Sequence, residues 1–356
     1  MITTDSTRPR GGPESVTPPI ATERQTSCPL CGALGEPRYE NLQDRLFGAP
    51  GVWGFRGCPA CGALWLDPRP TRASIGQAYR TYYTHGRSGA FAALAAATIR
   101  RAARARASLD YGFGKPTGSA RLWALVFRLY PGLAAHADLL IRHLPVGALE
   151  SGARLLDVGC GDGEALVFLS CLGWQASGVE IDPMAVRAAR ARGLEVIEGE
   201  IDSAGFADET FDAVTSSHVL EHVHDAMAFL SESRRVLKTG GSLVVVTPNA
   251  KAPLLTRHGE HWRGLEPPRH LVLFNADNLA RLAADVGLRD IRVKRTARAA
   301  SGNHFASAVS AAKAVREQRE PGWRFWLGSK ALEARMIRDV ELGRTEGEEI
   351  VLIARK

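Results

Sequence analysis

Long apolar runs are missing from this sequence. The most extended, Phe91 to Ile99 and Leu122 to Phe127, fall far short of the roughly 20 residues a membrane-spanning helix needs. Residues 1–26 are rich in Thr, Pro, Gly and Arg and hold no apolar core, so no secretory leader is expected. Cysteine is scarce, six in 356 residues, which excludes a disulfide framework, and glycine shows no three-residue period, which excludes a collagen-like chain. Acidic residues are outnumbered: 38 Asp and Glu stand against 45 Lys and Arg, a net charge of +7. That excess can attract anionic ligands or nucleic acid but identifies neither. A hydrophobic fraction of 45% and a charged fraction of 23% suffice for a packed core and exclude disorder across the whole chain. Without leader or span, the expected compartment is the reducing cytoplasm, where paired cysteines are metal ligands more often than disulfides.

Composition divides the chain into four expected parts. Residues 1–26 read as a disordered tail. Residues 27–66 hold four of the six Cys and read as a small metal module. Residues 67–150 are Ala/Arg-rich and read as a helical connector or substrate cap, broken near Tyr111-Gly-Phe-Gly-Lys-Pro and again at Pro131-Gly132. From 151 to 356, short β-like runs alternate with helical patterns, as in an α/β sheet. Strands are expected at Arg154 to Val158, Gln175 to Glu180, Leu194 to Glu198, Phe211 to Ser216, Ser242 to Thr247, Arg289 to Arg295 and Glu349 to Ala354. Helical segments between the early strands require crossovers and a mostly parallel sheet.

The most informative run is Leu155-Leu-Asp-Val-Gly-Cys-Gly-Asp-Gly163. A buried strand ends in glycines at alternate positions and a helix follows, which lets a ligand approach the bare backbone at the carboxyl end of the sheet. The dinucleotide pattern G-x-G-x-x-G is not met, and Glu164 occupies the helix start where a pyrophosphate would sit. A cationic or zwitterionic ligand suits the turn better. Glu180 ends the second strand, where a carboxylate can accept hydrogen bonds from both hydroxyls of a ribose, and Glu200 follows the third, near an adenine amino group. Taken separately, Glu180 could instead cap the next helix and Glu200 lie in solvent.

Two matching knuckles, Cys28-Pro-Leu-Cys31-Gly and Cys58-Pro-Ala-Cys61-Gly, lie 26 residues apart. Each brings two thiolates to one metal, and four thiolates make a closed tetrahedral zinc site, structural because no coordination position is left open. Zinc would supply folding free energy to a segment too small for a good core. Zinc ribbons also bind nucleic acid, but residues 28–61 balance Arg38, Arg45 and Arg56 against Glu36, Glu40 and Asp44, and no basic-aromatic stripe appears. A substrate-covering or packing role is the expectation, with Cys160 and Cys171 as small core or turn residues.

His218-Val-Leu-Glu-His222 matches the zinc-peptidase pattern H-x-x-E-H, which needs both His on one helix face and a third ligand nearby. No helix bearing that ligand follows. The alternative is a helix after the fourth strand, Leu220 and Val223 packing inward, His218 near cofactor or substrate and His222 in an internal hydrogen bond.

The glycine turn, Gly178-Val-Glu-Ile-Asp182, Phe211-Asp-Ala-Val214, Val219-Leu-Glu-His-Val223 and Arg235-Val-Leu-Lys-Thr-Gly-Gly241 together resemble the class I S-adenosylmethionine-dependent methyltransferases over about 150 residues. The resemblance implies a Rossmann-like, seven-stranded, mostly parallel sheet whose last strand is antiparallel. It also implies S-adenosylmethionine held by Asp157, Gly159, Gly161 and Gly163 at the methionine end, Glu180 at the ribose and Glu200 with Ile201 at the adenine. Cys160, Ile181 and Ser217 complete the implied contacts. One departure is Thr239, where the family usually has proline. Thr247-Pro-Asn249 and Pro267-Pro-Arg-His-Leu-Val-Leu-Phe274 look like the group that includes ubiquinone-pathway O-methyltransferases and many glycan- or natural-product-cluster enzymes.

Transfer to a hydroxyl or an activated carbon also needs a base. The run Arg257 to His270 follows the fifth strand and is dense in His, Arg and aromatic groups, as a substrate lid would be. His270 is the first candidate base, His261 the second and His218 the third; alternatively His270 fixes the loop through a backbone hydrogen bond while Arg269 pairs with an acid. Trp262 stacks on a flat acceptor or anchors the loop. Tyr79, Tyr82, Tyr83 and His85 are placed to roof an acceptor pocket, and Arg100, Arg101, Arg104 and Arg106 form either a lipid-contacting surface or a solvated helix face. The expected function is methyl transfer to a small-molecule, sugar or lipid-linked acceptor, O-methylation favoured, with nucleic acid disfavoured. The competing reading is a zinc-ribbon nucleic-acid or protein binder on a non-catalytic methyltransferase-like scaffold.

Overall fold

The structure, a computed structural model, describes residues 20–80, 90–116, 118–145, 152–315 and 320–356. The proposed tail falls outside these as far as residue 19. Residues 20–26 are ordered against the module: β1 (Thr22–Glu23) pairs antiparallel with β5 (Arg69–Pro70), and Arg24 reaches Asp67 at 2.9 Å. The tail is thus shorter than expected and the module extends past Leu66, because Asp67 is buried and needs Arg24 and Arg56 as counterions.

The module is built on β2 (Glu36–Leu42), β3 (Trp53–Gly57) and β4 (Leu64–Leu66), an antiparallel sheet over Trp53, Phe55 and Trp65. A 3₁₀ turn, Ile75–Tyr79, follows. Three helices come next: α1 (Ala90–Asp110), α2 (Gly118–Leu129) and α3 (Pro131–Leu140). They break where glycine and proline interrupt the sequence, since a proline tolerated at the first helical turn cannot continue the helix before it. The α1 arginines are partly consumed by ion pairs, Arg106 with Asp110 and Asp138 and Arg100 with Glu164. The Glu164 carboxylate is thereby offset, a neutralisation that the order of residues does not reveal.

The remaining chain alternates β6 (Arg154–Val158), α4 (Glu164–Cys171), β7 (Gln175–Glu180), α5 (Pro183–Ala191), β8 (Glu195–Glu198), β9 (Phe211–Ser217), α6 (Ala226–Val236) and β10 (Leu237–Pro248). It continues through α7 (Pro253–His258), β11 (Val272–Leu273), α8 (Ala276–Asp285), β12 (Arg289–Thr296), α9 (Ala300–Ala314), α10 (Trp323–Glu341) and β13 (Glu349–Arg355). The seven-stranded sheet has the order β12-β13-β10-β9-β6-β7-β8, with β13 antiparallel to both neighbours. Its central strands are buried on both faces, as Leu155, Leu156, Val214, Val244 and Val245 show, the condition of a parallel sheet covered by helices. The chain reverses direction across the sheet between β6 and β9, which opens the crevice at their carboxyl ends.

One local expectation fails. The His218 to Val223 segment forms only a 3₁₀ turn, Leu220–His222, and the helix starts at Ala226. His218 sits at φ 58°, outside the helical region, so His218 and His222 never share a helix face and the peptidase pattern has no helix to stand on. Leu220 is buried as expected. The N-cap that starts α6 is Asp225, whose carboxylate accepts from the Ala228 N–H.

Candidate active site

The glycine turn after β6 and the carboxylate at the end of β7 are one hydrogen-bonded unit. Glu180 Oε2 accepts from the Gly161 N–H at 2.8 Å and Oε1 from the Asp182 N–H at 2.9 Å. Glu180 does not cap α5; Asp182 does, accepting from the Met184 N–H. Each Glu180 oxygen keeps lone-pair capacity after these bonds, and the carboxylate forms part of the wall of a cavity of about 830 Å³. Gly161, at φ 58°, has nothing within 4 Å of where a Cβ would stand, whereas a Cβ on Gly159 would meet Val219 at 2.2 Å. The turn is thus open bare backbone at Gly161 and closed over by Val219 at Gly159.

Gly159, Glu180, Ile181, Glu200 and Ile201 line that cavity; Asp157, Cys160, Gly161, Gly163 and Ser217 are not part of its wall. Asp157 is fully buried, accepting from Thr215 at 2.7 Å and paired with Arg142 at 2.5 Å. Cys160 points its sulfur beneath Gly178, so its side chain fills the core and only its backbone belongs to the turn. No local motif marks Arg142 as a partner of Asp157, which lies 15 residues on in the interior strand β6.

The cavity is also lined by His218, His222, Glu266, His270, Arg298 and Glu349, with Ile75 and Tyr79 contributed from beyond the cysteine module. Of the residues expected to roof an acceptor pocket, Tyr79 lines the cavity, while Tyr82, Tyr83 and His85 lie outside the described residues. His270 Nδ1 donates to the Gly264 carbonyl at 2.7 Å, which fixes the loop and leaves the lone pair on Nε2. Burial lowers its pKa to about 4, so the ring is neutral at physiological pH. The Glu266 carboxylate stands 3.4 Å from Nε2, placed to stabilise the imidazolium that forms when the ring takes a proton. Both roles weighed for His270 rest on the bond to Gly264. Arg269 is wholly buried and pairs with Asp44 and Glu266.

His218 differs. Its Nδ1 lies 3.2 Å from Glu221 and its Nε2 2.9 Å from Glu349, and Arg298 pairs with the same Glu349 oxygen. Although burial works against the charge, these two carboxylates raise its pKa to about 9. A ring that holds both protons at neutral pH is a poor base, so His218 drops from the candidates. His261 is not part of the cavity wall; its Nε2 faces Glu260 at 3.5 Å, and it drops as well. Trp262 is buried and donates to Glu348 at 3.2 Å, an anchor for the loop instead of a stacking platform. His222 Nδ1 faces the Arg269 carbonyl at 3.0 Å and the Tyr79 hydroxyl at 2.9 Å, the internal hydrogen-bonding role expected of it. Glu221, His222 and His270 each offer an atom within 4.8 Å of the others.

Among the described residues the other such cluster is Cys28, Cys31, Cys58 and Cys61. Cys28 and Cys61 sulfurs are 3.6 Å apart and those of Cys31 and Cys58 3.4 Å, close to the roughly 3.8 Å edge of a tetrahedral zinc–thiolate site. The two knuckles fold alike: the backbone N–H groups of Cys28 and Cys58 donate to the carbonyls of Ala33 and Ala63, and Gly32 and Gly62 close the turns. The four thiols thus fit a structural zinc. The knuckle is held to the sheet domain by the Asn275 and Asn278 side-chain amides, both donating to the Cys61 carbonyl, and by pairing of β4 with β11.

Residues 132–293 match the family model described as Methyltransferase domain. The seven-stranded, mostly parallel sheet with its antiparallel β13 is the α/β methyltransferase fold, joined here to a four-cysteine module. A ubiquinone biosynthesis O-methyltransferase of Xanthomonas oryzae is 39% identical over 106 residues, 28% of this chain and 44% of that protein. A probable S-adenosylmethionine-dependent methyltransferase of Mycobacterium tuberculosis is 32% identical over 139 residues, 38% of this chain and 49% of its own length. The chain thus spans less than half the length of either curated relative. Among solved structures, a possible histamine N-methyltransferase from Thermotoga maritima aligns with a TM-score of 0.42 and 22% identity, covering 67% of this chain and 94% of that one. Phosphoethanolamine N-methyltransferase 2 of Haemonchus contortus aligns with a TM-score of 0.46 and 16% identity, covering 82% and 62%.

Proposed function

We propose that this chain transfers a methyl group from S-adenosylmethionine to a small-molecule, sugar or lipid-linked acceptor, with a hydroxyl as the favoured methyl-accepting group. The observation that carries the reading is the Glu180 carboxylate, fixed by the Gly161 and Asp182 N–H groups at the rim of the cavity. The names of the ubiquinone-pathway relatives support a small hydroxyl-bearing acceptor. When bound, the sulfonium supplies an electrophilic methyl and departs as a neutral thioether.

Glu180 would hold the ribose hydroxyls, Glu200 and Ile201 the adenine, and the backbone of Gly159 to Gly161 the region below the sulfur. On the acceptor side, His270 Nε2 would take the hydroxyl proton as the new oxygen–carbon bond forms, and Nδ1–H stays on Gly264. His218, clamped by Glu221 and Glu349, would position Glu221 instead of exchanging protons. Tyr79 and Ile75 close the cavity from the side of the four-cysteine module, a covering role for that module with zinc as its structural metal.

Calorimetric titration with S-adenosylmethionine and with S-adenosylhomocysteine tests the reading. Binding of both is expected. Binding of neither would favour a non-catalytic scaffold.

A further inference from the structure

The helical hairpin α9–α10 is an insertion between the two antiparallel strands β12 and β13. Its far end is unusual. Every residue from Gly322 to Leu327 is exposed, and this stretch holds two tryptophans, a phenylalanine and a leucine. Trp323 is 69% exposed, Trp326 45% and Leu327 50%, with Val315 at the end of α9 56% exposed. A cluster of large apolar groups in water signals an interaction site.

The charges around it select the occupant. The Arg324 guanidinium lies 5.4 Å from the Trp323 ring centre and the Lys330 ammonium 5.9 Å from that of Trp326. Lys313 is exposed at the end of α9, and between Val315 and Leu332 Glu320 is the one exposed carboxylate among the described residues. An apolar protein interface that buried Trp323 would desolvate Arg324 along with it, at a heavy cost for an unpaired charge. At a bilayer surface the same pair separates naturally by depth, indole in the interfacial layer and guanidinium among the phosphates.

We propose that the exposed start of α10, Trp323 to Leu327, together with Lys313 and Val315 at the end of α9, is a docking surface for an anionic phospholipid bilayer, with Trp323, Trp326 and Leu327 inserting at the interface and Lys313 and Arg324 contacting headgroups. The first turn of α9 supplies Asn303 to the cavity wall. The helical rise from Asn303 to Val315 at the end of α9 places the exposed apolar cluster about 18 Å from that wall. Docking therefore holds the cavity within reach of an acceptor carried at a membrane surface. The inference does not depend on the methyl-transfer reading.

Co-sedimentation of the full chain with phosphatidylcholine vesicles and with mixed phosphatidylcholine–phosphatidylglycerol vesicles tests it, with tryptophan emission as a second readout. Binding to the mixed vesicles, a blue shift of emission and weakening by salt are expected. Trp323→Ser with Trp326→Ser, and separately Arg324→Glu, should each weaken binding by about tenfold, while S-adenosylhomocysteine affinity and circular dichroism stay unchanged. Absence of binding to the mixed vesicles at low salt, or equal binding by the variants, would overturn the proposal. So would light scattering showing a dimer that the double variant dissolves, which would assign the face to a second copy of the chain.

Discussion

Glu180 and Gly161 are joined across two strands by a single hydrogen bond of 2.8 Å from backbone N–H to carboxylate. The bond aims the carboxylate along the rim and prevents it from turning into solvent. Glu180→Ala should therefore reduce affinity for S-adenosylhomocysteine by about 10- to 100-fold, the loss of hydrogen bonds to a charged group, and lower the melting temperature as well, since the Gly161 and Asp182 N–H groups lose their acceptor. Calorimetry on the variant checks this; unchanged affinity would remove Glu180 from the cofactor site.

For His270, the neutral ring and the Nε2 lone pair predict a split between parameters. His270→Asn should lower kcat by about 10²- to 10⁴-fold and leave cofactor affinity close to that of the parent. Because the pKa of His270 is lowered to about 4, the acidic limb that this group imposes on turnover should fall near that value instead of near 6.5. A limb centred on the ordinary histidine value, or unchanged turnover in the variant, would exclude His270 as base.

Stability should pass through a maximum near neutral pH. His270 and His143 titrate at about 4 in the folded chain, so between that value and 6.5 the unfolded chain binds more protons and stability rises with pH. His218 works in the other direction. Its folded pKa of about 9 gives a contribution fully present below 6.5 and lost as pH rises through 9. Thermal melts across this range should show both limbs, and His218→Gln should flatten the alkaline one. An alkaline limb unaltered by the substitution would mean that His218 is not held as an imidazolium.

Arg269 ties three parts of the chain together through Asp44, Glu266 and the Ala78 carbonyl. Replacing it with Met would take a guanidinium from both acids, leaving Glu266 to Arg263 and Asp44 to the Phe47 and Ala49 N–H groups, and a loss of about 3 kcal/mol is expected. Denaturant unfolding measures it. A loss near that of an exposed substitution would show that the two acids find other partners.

Metal analysis should give about one zinc per chain, abolished in Cys28→Ser/Cys58→Ser. Since Asn275 and Asn278 hold the Cys61 carbonyl, loss of the metal should also loosen the contact between module and sheet domain, seen as faster amide exchange at Asn275. A metal-free, normally folded parent would exclude the zinc site.

What was legible in the sequence is what local spacing encodes. The strands from Arg154 to Val158 and from Gln175 to Glu180 stand where short, mostly apolar runs bounded by turn residues place them, as strands covered on both faces require, with Asp157 a buried polar exception. The knuckles are equally local, since a pair of Cys three apart followed by glycine can close only one kind of turn around a metal. The turn at Leu220 to His222 was misjudged as a helix: its apolar residues have helical spacing, but His218 in a left-handed conformation and the Asp225 cap delay the helix to Ala226.

Chain order alone marked the glycine turn after the first sheet strand, two paired cysteine knuckles and a run rich in histidine, for each is written within a few consecutive residues. Only folding decided which histidine keeps an unprotonated nitrogen, which one is locked between carboxylates, that Arg142 pairs with Asp157 and that Tyr79 lines the cavity. Protonation and access depend on burial and on partners such as Glu349 and Gly264, brought close by the sheet and the loop packing over it, and no linear spacing records those neighbours.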